Sequence, residues 1–168
     1  MKLPQLLSAL FFVTVVLFTV TKSQAQELPV FRKNAVYAEL GGTAVKASIS
    51  YERLKPLKKG NTLAMSIGVG APVTIEGTRV FMVPMQFNWL LGKSASRAEL
   101  GFSINPAYHT YTSFKSTPEE RSGQYYTAMP SIRIGYRYMG PKGLVFRAGY
   151  TPMLVMFPWA GVSLGYSF

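Results

Sequence analysis

Eight times between Val36 and Phe168 the sequence alternates, residue by residue, between a large apolar side chain and a small or charged one. Successive side chains of a strand point to opposite faces, whereas a helix needs apolar residues every three or four positions. A chain written this way is a set of strands with two chemically different faces. Val36, Ala38 and Leu40 oppose Tyr37, Glu39 and Gly41; Val45, Ala47, Ile49 and Tyr51 then oppose Lys46, Ser48, Ser50 and Glu52. Leu63, Met65, Ile67 and Val69 stand against Ala64, Ser66, Gly68 and Gly70, and the run from Phe81 to Leu91 sets Met85, Phe87 and Trp89 against Gln86 and Asn88. The pattern continues with Leu100, Phe102 and Ile104 against Glu99, Gly101 and Ser103, and with Ile132, Ile134 and Tyr136 against Arg133, Gly135 and Arg137. Phe146 and Ala148 then flank Arg147, and Val162, Leu164, Tyr166 and Phe168 alternate with Ser163, Gly165 and Ser167.

Composition decides which face looks inward. A face of Gly, Ser and charged residues cannot fill a soluble core at the close-packed density of protein interiors. The large face is therefore expected to point out to lipid, and the small face to line a narrow lumen. Eight strands leave an interior just wide enough for side chains, and closure removes the unpaired edges that lipid cannot satisfy. The expected fold is all-β, a transmembrane antiparallel up-and-down barrel of about eight strands.

The N-terminal stretch reads as an export signal. Lys2 supplies the positive start, Leu6 to Val20 the apolar run, and Ser23 with Ala25 the small residues of a cleavage site. The apolar run is shorter than the roughly 20 residues that cross a bilayer as a helix. Residues 1–25 are expected to be removed and 26–168 to form the barrel. There is no cysteine, which removes disulfides, thiolate metal sites and a lipid anchor on Cys, and there is no aspartate. The formal charge of +11 calls for an anionic partner. In an exported chain that is 48% hydrophobic, that partner is a lipid head group rather than a nucleic acid. Neither a metal nor a cofactor is implied.

Three connections, 54–61, 92–96 and 139–143, are short and lysine-bearing, as expected of periplasmic turns. The outer connections are Gly41-Gly42-Thr43, 71–78, a long polar loop from His109 to Tyr125, and 151–158. Tyr37, Tyr51, Trp89, Tyr108, Tyr136, Tyr138, Tyr150, Trp159 and Tyr166 lie mostly toward strand ends, where amphipathic rings form a girdle at the lipid boundary.

On this register the lumen holds Glu39, Glu52 and Glu99 with Lys46, Arg97, Arg133, Arg137 and Arg147. Arg forks match carboxylates, and an unpaired charge in so confined a space is costly, so a salt-bridged plug is the expected arrangement. A hydrated lumen whose surplus positive charge attracts small anions is the alternative. His109, the sole histidine, is expected in an exposed loop, where with Lys115 and Arg121 it is a candidate for contact with a ligand or with lipopolysaccharide.

The segments VYAELGG, SISYERL, VPMQFNWLLGK, IRIGYRY, FRAGYTP and PWAGVSLGYSF resemble the small outer-membrane barrel proteins of Bacteroidota, and more distantly the OmpX and OmpA membrane domains. The resemblance implies a bacterial outer-membrane location and a barrel fold and hands over no catalytic residues. Outer-membrane lipid and lipopolysaccharide are the expected partners, and of the oligomeric states, which the sequence leaves open, a monomer is favoured. Val162, Leu164, Tyr166 and Phe168 are similar to the terminal signal that the barrel-assembly machinery recognises. Lipid A deacylases and palmitoyl transferases are barrels of similar size, and their chemistry would require His109 on a strand beside a serine and an acidic residue. The function expected is a structural or surface-contact barrel without catalysis.

Overall fold

The computed structural model describes residues 31–75, 77–113, 121–153 and 156–168. The expected export signal and Lys115 lie outside them, as do the side chains of Arg121 and Trp159. Ten strands form one antiparallel sheet: β1 (Asn34–Gly41), β2 (Ala47–Pro56), β3 (Thr62–Gly70), β4 (Val73–Ile75), β5 (Thr78–Met82), β6 (Met85–Leu91), β7 (Ser96–Ser113), β8 (Arg121–Met139), β9 (Leu144–Met153) and β10 (Met156–Ser167). β4 prolongs β3 and β5 leads into β6, so the ten strands make eight staves. The ring runs β1, β2, β3, β6, β7, β8, β9, β10, and the pairing of β10 back onto β1 closes it.

The paired staves have a bulge between them. Ile67 faces Met85, but farther along Val73 faces Val80, so one extra residue is carried on the β3–β4 side. On the other side the register against β7 is continuous across the interruption, with Met85 opposite Ile104 and Met82 opposite Ala107. Pro72 and Pro84 occupy the irregular positions, where the absent N–H of proline costs no ladder bond. The carbonyl of Pro84 still accepts from Gly68 N at 2.9 Å, and that of Pro106 from Val83 N at 2.9 Å. The connection expected over 71–78 is thus largely strand.

Closure also needs bare backbone on the inner face. A Cβ on Gly101 would meet Asn88 Oδ1 at 2.0 Å and the Phe87 carbonyl at 2.5 Å, and one on Gly165 would meet the Val36 carbonyl at 2.3 Å. These inward positions let neighbouring staves coil tightly, which the long arginines then exploit.

The outer face is apolar and exposed: Val36, Leu40, Ile49, Ile67, Val69, Trp89, Leu100, Phe102, Ile104, Ile132, Ile134, Phe146, Val162 and Leu164 all point away from the lumen. Two expectations fail, one of an inward position and one of a girdle position. Lys46 is exposed rather than in the lumen, because residues 42–46 form a turn instead of continuing the strand. Tyr37 does not join a girdle; it is 1% exposed, inside the barrel. The turn is unusual in itself. Gly42–Ala44 make a short 3-10 segment, and Val45 follows at φ 68°, ψ −56°, with Lys46 N donating to Ala44 O at 2.8 Å. That is the strained γ-turn geometry, costly for a β-branched residue, and it tucks Thr43, Ala44 and Val45 into the mouth of the barrel.

The three turns 57–61, 92–95 and 140–143 lie at the same end as both strand termini, Asn34 and Ser167. At the opposite end β8 runs far past its partner β9, with which it pairs only as far as Ser131, and pairs with β7 as far as Arg121 with Ser113, while β7 pairs with β5 as far as Tyr111. The long loop expected from His109 to Tyr125 is therefore strand on both flanks. An unheated gel tests the closure. The wild-type barrel is expected to migrate differently before and after boiling, Gly101→Leu to lose the unheated form, and the outward Ala98→Leu to keep it.

Candidate functional site: a charge network sealed in the lumen

Alternation places one long polar side chain from each of several staves at the same height. β1 contributes Glu39, β2 Glu52, β6 Gln86 and Asn88, β7 Glu99, β8 Arg133 and Arg137, and β9 Arg147. Register brings them together: Arg137 stands opposite Arg97 on one side and Arg147 on the other. Two neighbouring arginines on adjacent strands repel, so carboxylates must reach between them. Glu99 does this. It bonds Arg147 Nη2 at 2.6 Å and Arg137 Nε at 3.2 Å, and lies 3.4 Å from Arg133 Nε.

The other two carboxylates complete the set. Glu52 takes a two-pronged fork from Arg137, at 2.5 and 2.8 Å, and Glu39 accepts from Arg133 Nη1 at 2.6 Å and from Ser163 Oγ at 3.3 Å. Bidentate geometry of this kind is what makes Arg, rather than Lys, suit a buried carboxylate. All six side chains are at most 2% exposed.

Neutral groups extend the network. Gln86 accepts from Arg147 Nη2 at 3.0 Å and donates to Thr43 Oγ1 at 3.1 Å, tying the inward-folded turn to the charges below it. The guanidinium of Arg147 lies 4.4 Å from the ring centroid of Tyr37, and the Tyr37 hydroxyl donates to Ser66 Oγ at 2.9 Å. Arg97 is set apart. It donates to Thr62 Oγ1 at 2.8 Å and to the Ser94 carbonyl at 2.9 Å, near the end that holds Asn34 and Ser167.

Each end of this layer is closed by apolar side chains. Toward the termini, Leu54, Ala64, Leu90 and Met139 pack together. Toward the opposite mouth, Val45, Val80, Met82 and Ala107 do the same, with Val73 and Met129 against them. Three carboxylates and three guanidiniums are thus held between two apolar clusters, with Arg133 Nη2 and Arg147 Nη1 as buried donors that have no hydrogen-bond partner among the described residues. With Lys46 outside, the surplus positive charge expected within the lumen reduces to Arg97 near one rim.

His109 needs correction. It lies on β7, not in a loop, and it is 6% exposed. Its ring stacks on Tyr125 at 4.4 Å and 8°, and Nε2 sits 2.8 Å from Thr127 Oγ1. Among the described residues neither a serine nor a carboxylate completes a nucleophilic arrangement with it; the ring caps the mouth above the upper apolar plug. Val162, Leu164, Tyr166 and Phe168 are exposed on the outer face at the closing strand, and Phe168 N donates to Asn34 O at 2.8 Å.

The structure thus brings Glu39, Glu52, Glu99, Arg133, Arg137 and Arg147 together, and leaves out Lys46 and, in part, Arg97. It adds Tyr37, Thr43, Gln86, Asn88 and Ser163. Gln86 and Asn88 stand on the inward phase of their strand in the sequence; Leu54, expected in the 54–61 turn, lies on β2 and packs in the lower apolar cluster.

Comparison with solved structures returns a match. The crystal structure of the N-terminal β-barrel domain of Pseudomonas aeruginosa OprF superposes with a TM-score of 0.50 over 81% of this chain and 96% of that chain, at 17% identity. The two chains share a fold. No family model matches the sequence, and no curated protein matches it. The eight-stave closed barrel is therefore a fold this chain shares with that β-barrel domain, while the residues that fill its interior are read from this chain alone.

Neutralising one member of a buried ion network leaves its partners uncompensated, at a cost of about 3–5 kcal/mol. Glu99→Gln is expected to lower unfolding stability by about that much in a guanidinium titration of the refolded barrel. Lys46→Gln, on the exposed turn, is expected to change it by less than about 0.5 kcal/mol.

Proposed function

We propose that this protein is a sealed, non-conducting barrel of a bacterial outer membrane, with a structural and surface-contact role and no catalysis. The observation that carries the reading is the matched set of three carboxylates and three guanidiniums between two apolar plugs. A pore needs a continuous water path past charged walls. Here the six charges neutralise one another and an apolar cluster stands at each approach, with Arg97 beside one and His109 above the other.

The outward belt supports membrane residence. Large apolar side chains cover the barrel from Trp89 and Phe146 to Ile104 and Val69, and no helix among the described residues is long and apolar enough to cross a bilayer. Strands are then the means of crossing, and closure satisfies their backbone groups. In this orientation the short turns and both termini face the periplasm, and the long β7–β8 hairpin faces outward. Val162, Leu164, Tyr166 and Phe168 are proposed as the strand read by the barrel-assembly machinery, and the barrel as a monomer surrounded by lipid and lipopolysaccharide.

Planar-bilayer recording tests the sealed lumen. Wild-type protein inserted at defined copy number is expected to give no stepwise conductance, and porin-like steps in 1 M-range salt, roughly the concentration at which the Debye length falls to about 3 Å, would overturn the reading.

A further inference from the structure

The bulge between the β3–β4 and β5–β6 staves leaves a cleft of about 300 Å³ on the outer surface, lined by Pro72, Arg79, Phe81, Tyr108 and Thr110. Its walls are set by register. Arg79 pairs with Thr110 and Phe81 with Tyr108, each pair pointing outward because Val80 and His109 point in. Tyr108 is held in place from behind: its ring packs on Tyr126 at 5.1 Å, and its hydroxyl donates to Gln124 Oε1 at 2.5 Å.

The depth of this cleft is fixed by the strand that carries it. Along the same outward line lie Arg79, Phe81, Met85, Phe87 and Trp89. From Trp89 to Arg79 the rise of about 3.3 Å per residue gives roughly 33 Å, and a strand tilt of about 40° reduces this to roughly 25 Å. That is the height of the apolar band of an outer-membrane barrel. With Trp89 at one boundary, Arg79 therefore stands at the other, where lipid head groups lie. No described carboxylate pairs with Arg79, so its planar fork is available to an anion, and Phe81 and Pro72 below it offer an apolar wall to an acyl chain.

We propose that this cleft is a docking site for a phosphate-bearing glycolipid of the lipid A type, with Arg79 on the phosphate and Phe81 and Pro72 against the first acyl chain. The proposal rests on the membrane reading above, which turns the β7–β8 end outward, toward the leaflet in which such a lipid is the phosphate-bearing component. Pairing of the guanidinium with phosphate is bidentate and charge-assisted.

Native mass spectrometry of the detergent-solubilised, refolded barrel, with added lipid A or phosphatidylglycerol, tests it. Wild-type protein is expected to retain one lipid A in preference to phosphatidylglycerol. Arg79→Gln is expected to lower that retention about fivefold, the equivalent of ~1 kcal/mol for one basic side chain at a lipid surface. Arg79→Lys is expected to keep most of it. Arg53→Gln, which removes the same charge from an exposed position at the other end of the barrel, is expected to leave it unchanged. Heat-modifiable migration and vesicle insertion are measured on every variant. Insertion of all proteins with equal lipid A retention in wild type and Arg79→Gln overturns the site alone, as does equal retention of phosphatidylglycerol. Failure of the wild-type protein to insert overturns the membrane reading and the site with it.

Discussion

Glu99 is the residue on which the interior depends. Arg137 and Arg147 face each other across adjacent strands, and Arg133 comes from two repeats of the strand pattern earlier on β8. No packing of these side chains is stable without a carboxylate among them, and Glu99 lies against all three. From that contact the remaining features follow. Glu52 and Glu39 neutralise the outer sides of the arginines, Gln86 passes the network up to Thr43, and Tyr37 offers its ring to Arg147. The inward glycines supply the room. Buried ion pairs contribute little net stability compared with an apolar filling of the same volume, because desolvation offsets much of the attraction. Their consequence is specificity of register: shifting β1, β2, β7, β8 or β9 by one residue would carry an arginine or a glutamate to the apolar outer face.

The outer and inner faces answer different demands. Outside, any large apolar side chain serves, and the belt mixes Val, Leu, Ile, Phe, Met and Trp freely. Inside, size and charge are specified position by position, and bare backbone is required where Gly101 passes Asn88 and Gly165 passes Val36. An apolar cluster stands at each end of the charged layer, and the upper one includes a turn that adopts a strained conformation at Val45 to reach it. Strain of this kind persists only where the surroundings over-determine it, here through the Thr43 to Gln86 hydrogen bond and the packing of Val45 on Val80 and Met82.

Much of this was legible in the sequence, because period-two alternation fixes the face of every strand residue once the register is known. It placed Glu39, Glu52, Glu99, Arg133, Arg137 and Arg147 on one interior. It failed where the chain leaves the strand. Lys46 is in phase with Ser48 and Glu52, but the turn through Val45 breaks the phase before the side chain can enter. His109 reads as loop because polar Thr and Ser residues surround it, yet β7 is paired there with β5 on one side and β8 on the other, and the ring is buried against Tyr125. Tyr37 carries an aromatic at a position where the inward phase, rather than its residue type, decides its place. The bulge beside Pro72 and Pro84, and with it the outward cleft at Arg79, depends on a pairing between distant strands that a single strand's pattern does not encode.

The cysteine-free chain allows a direct test of which face meets lipid. Single cysteines placed along β10 at Val162, Ser163, Leu164, Gly165, Tyr166 and Ser167 would carry a nitroxide in the barrel refolded into vesicles, with collision rates measured against oxygen in the bilayer and a nickel chelate in water. The result required is high oxygen accessibility at positions 162, 164 and 166, with 163, 165 and 167 shielded from both reagents. Oxygen exposure on the odd-numbered set, or nickel access to both sets along the strand, would contradict a sealed barrel with its apolar face toward lipid.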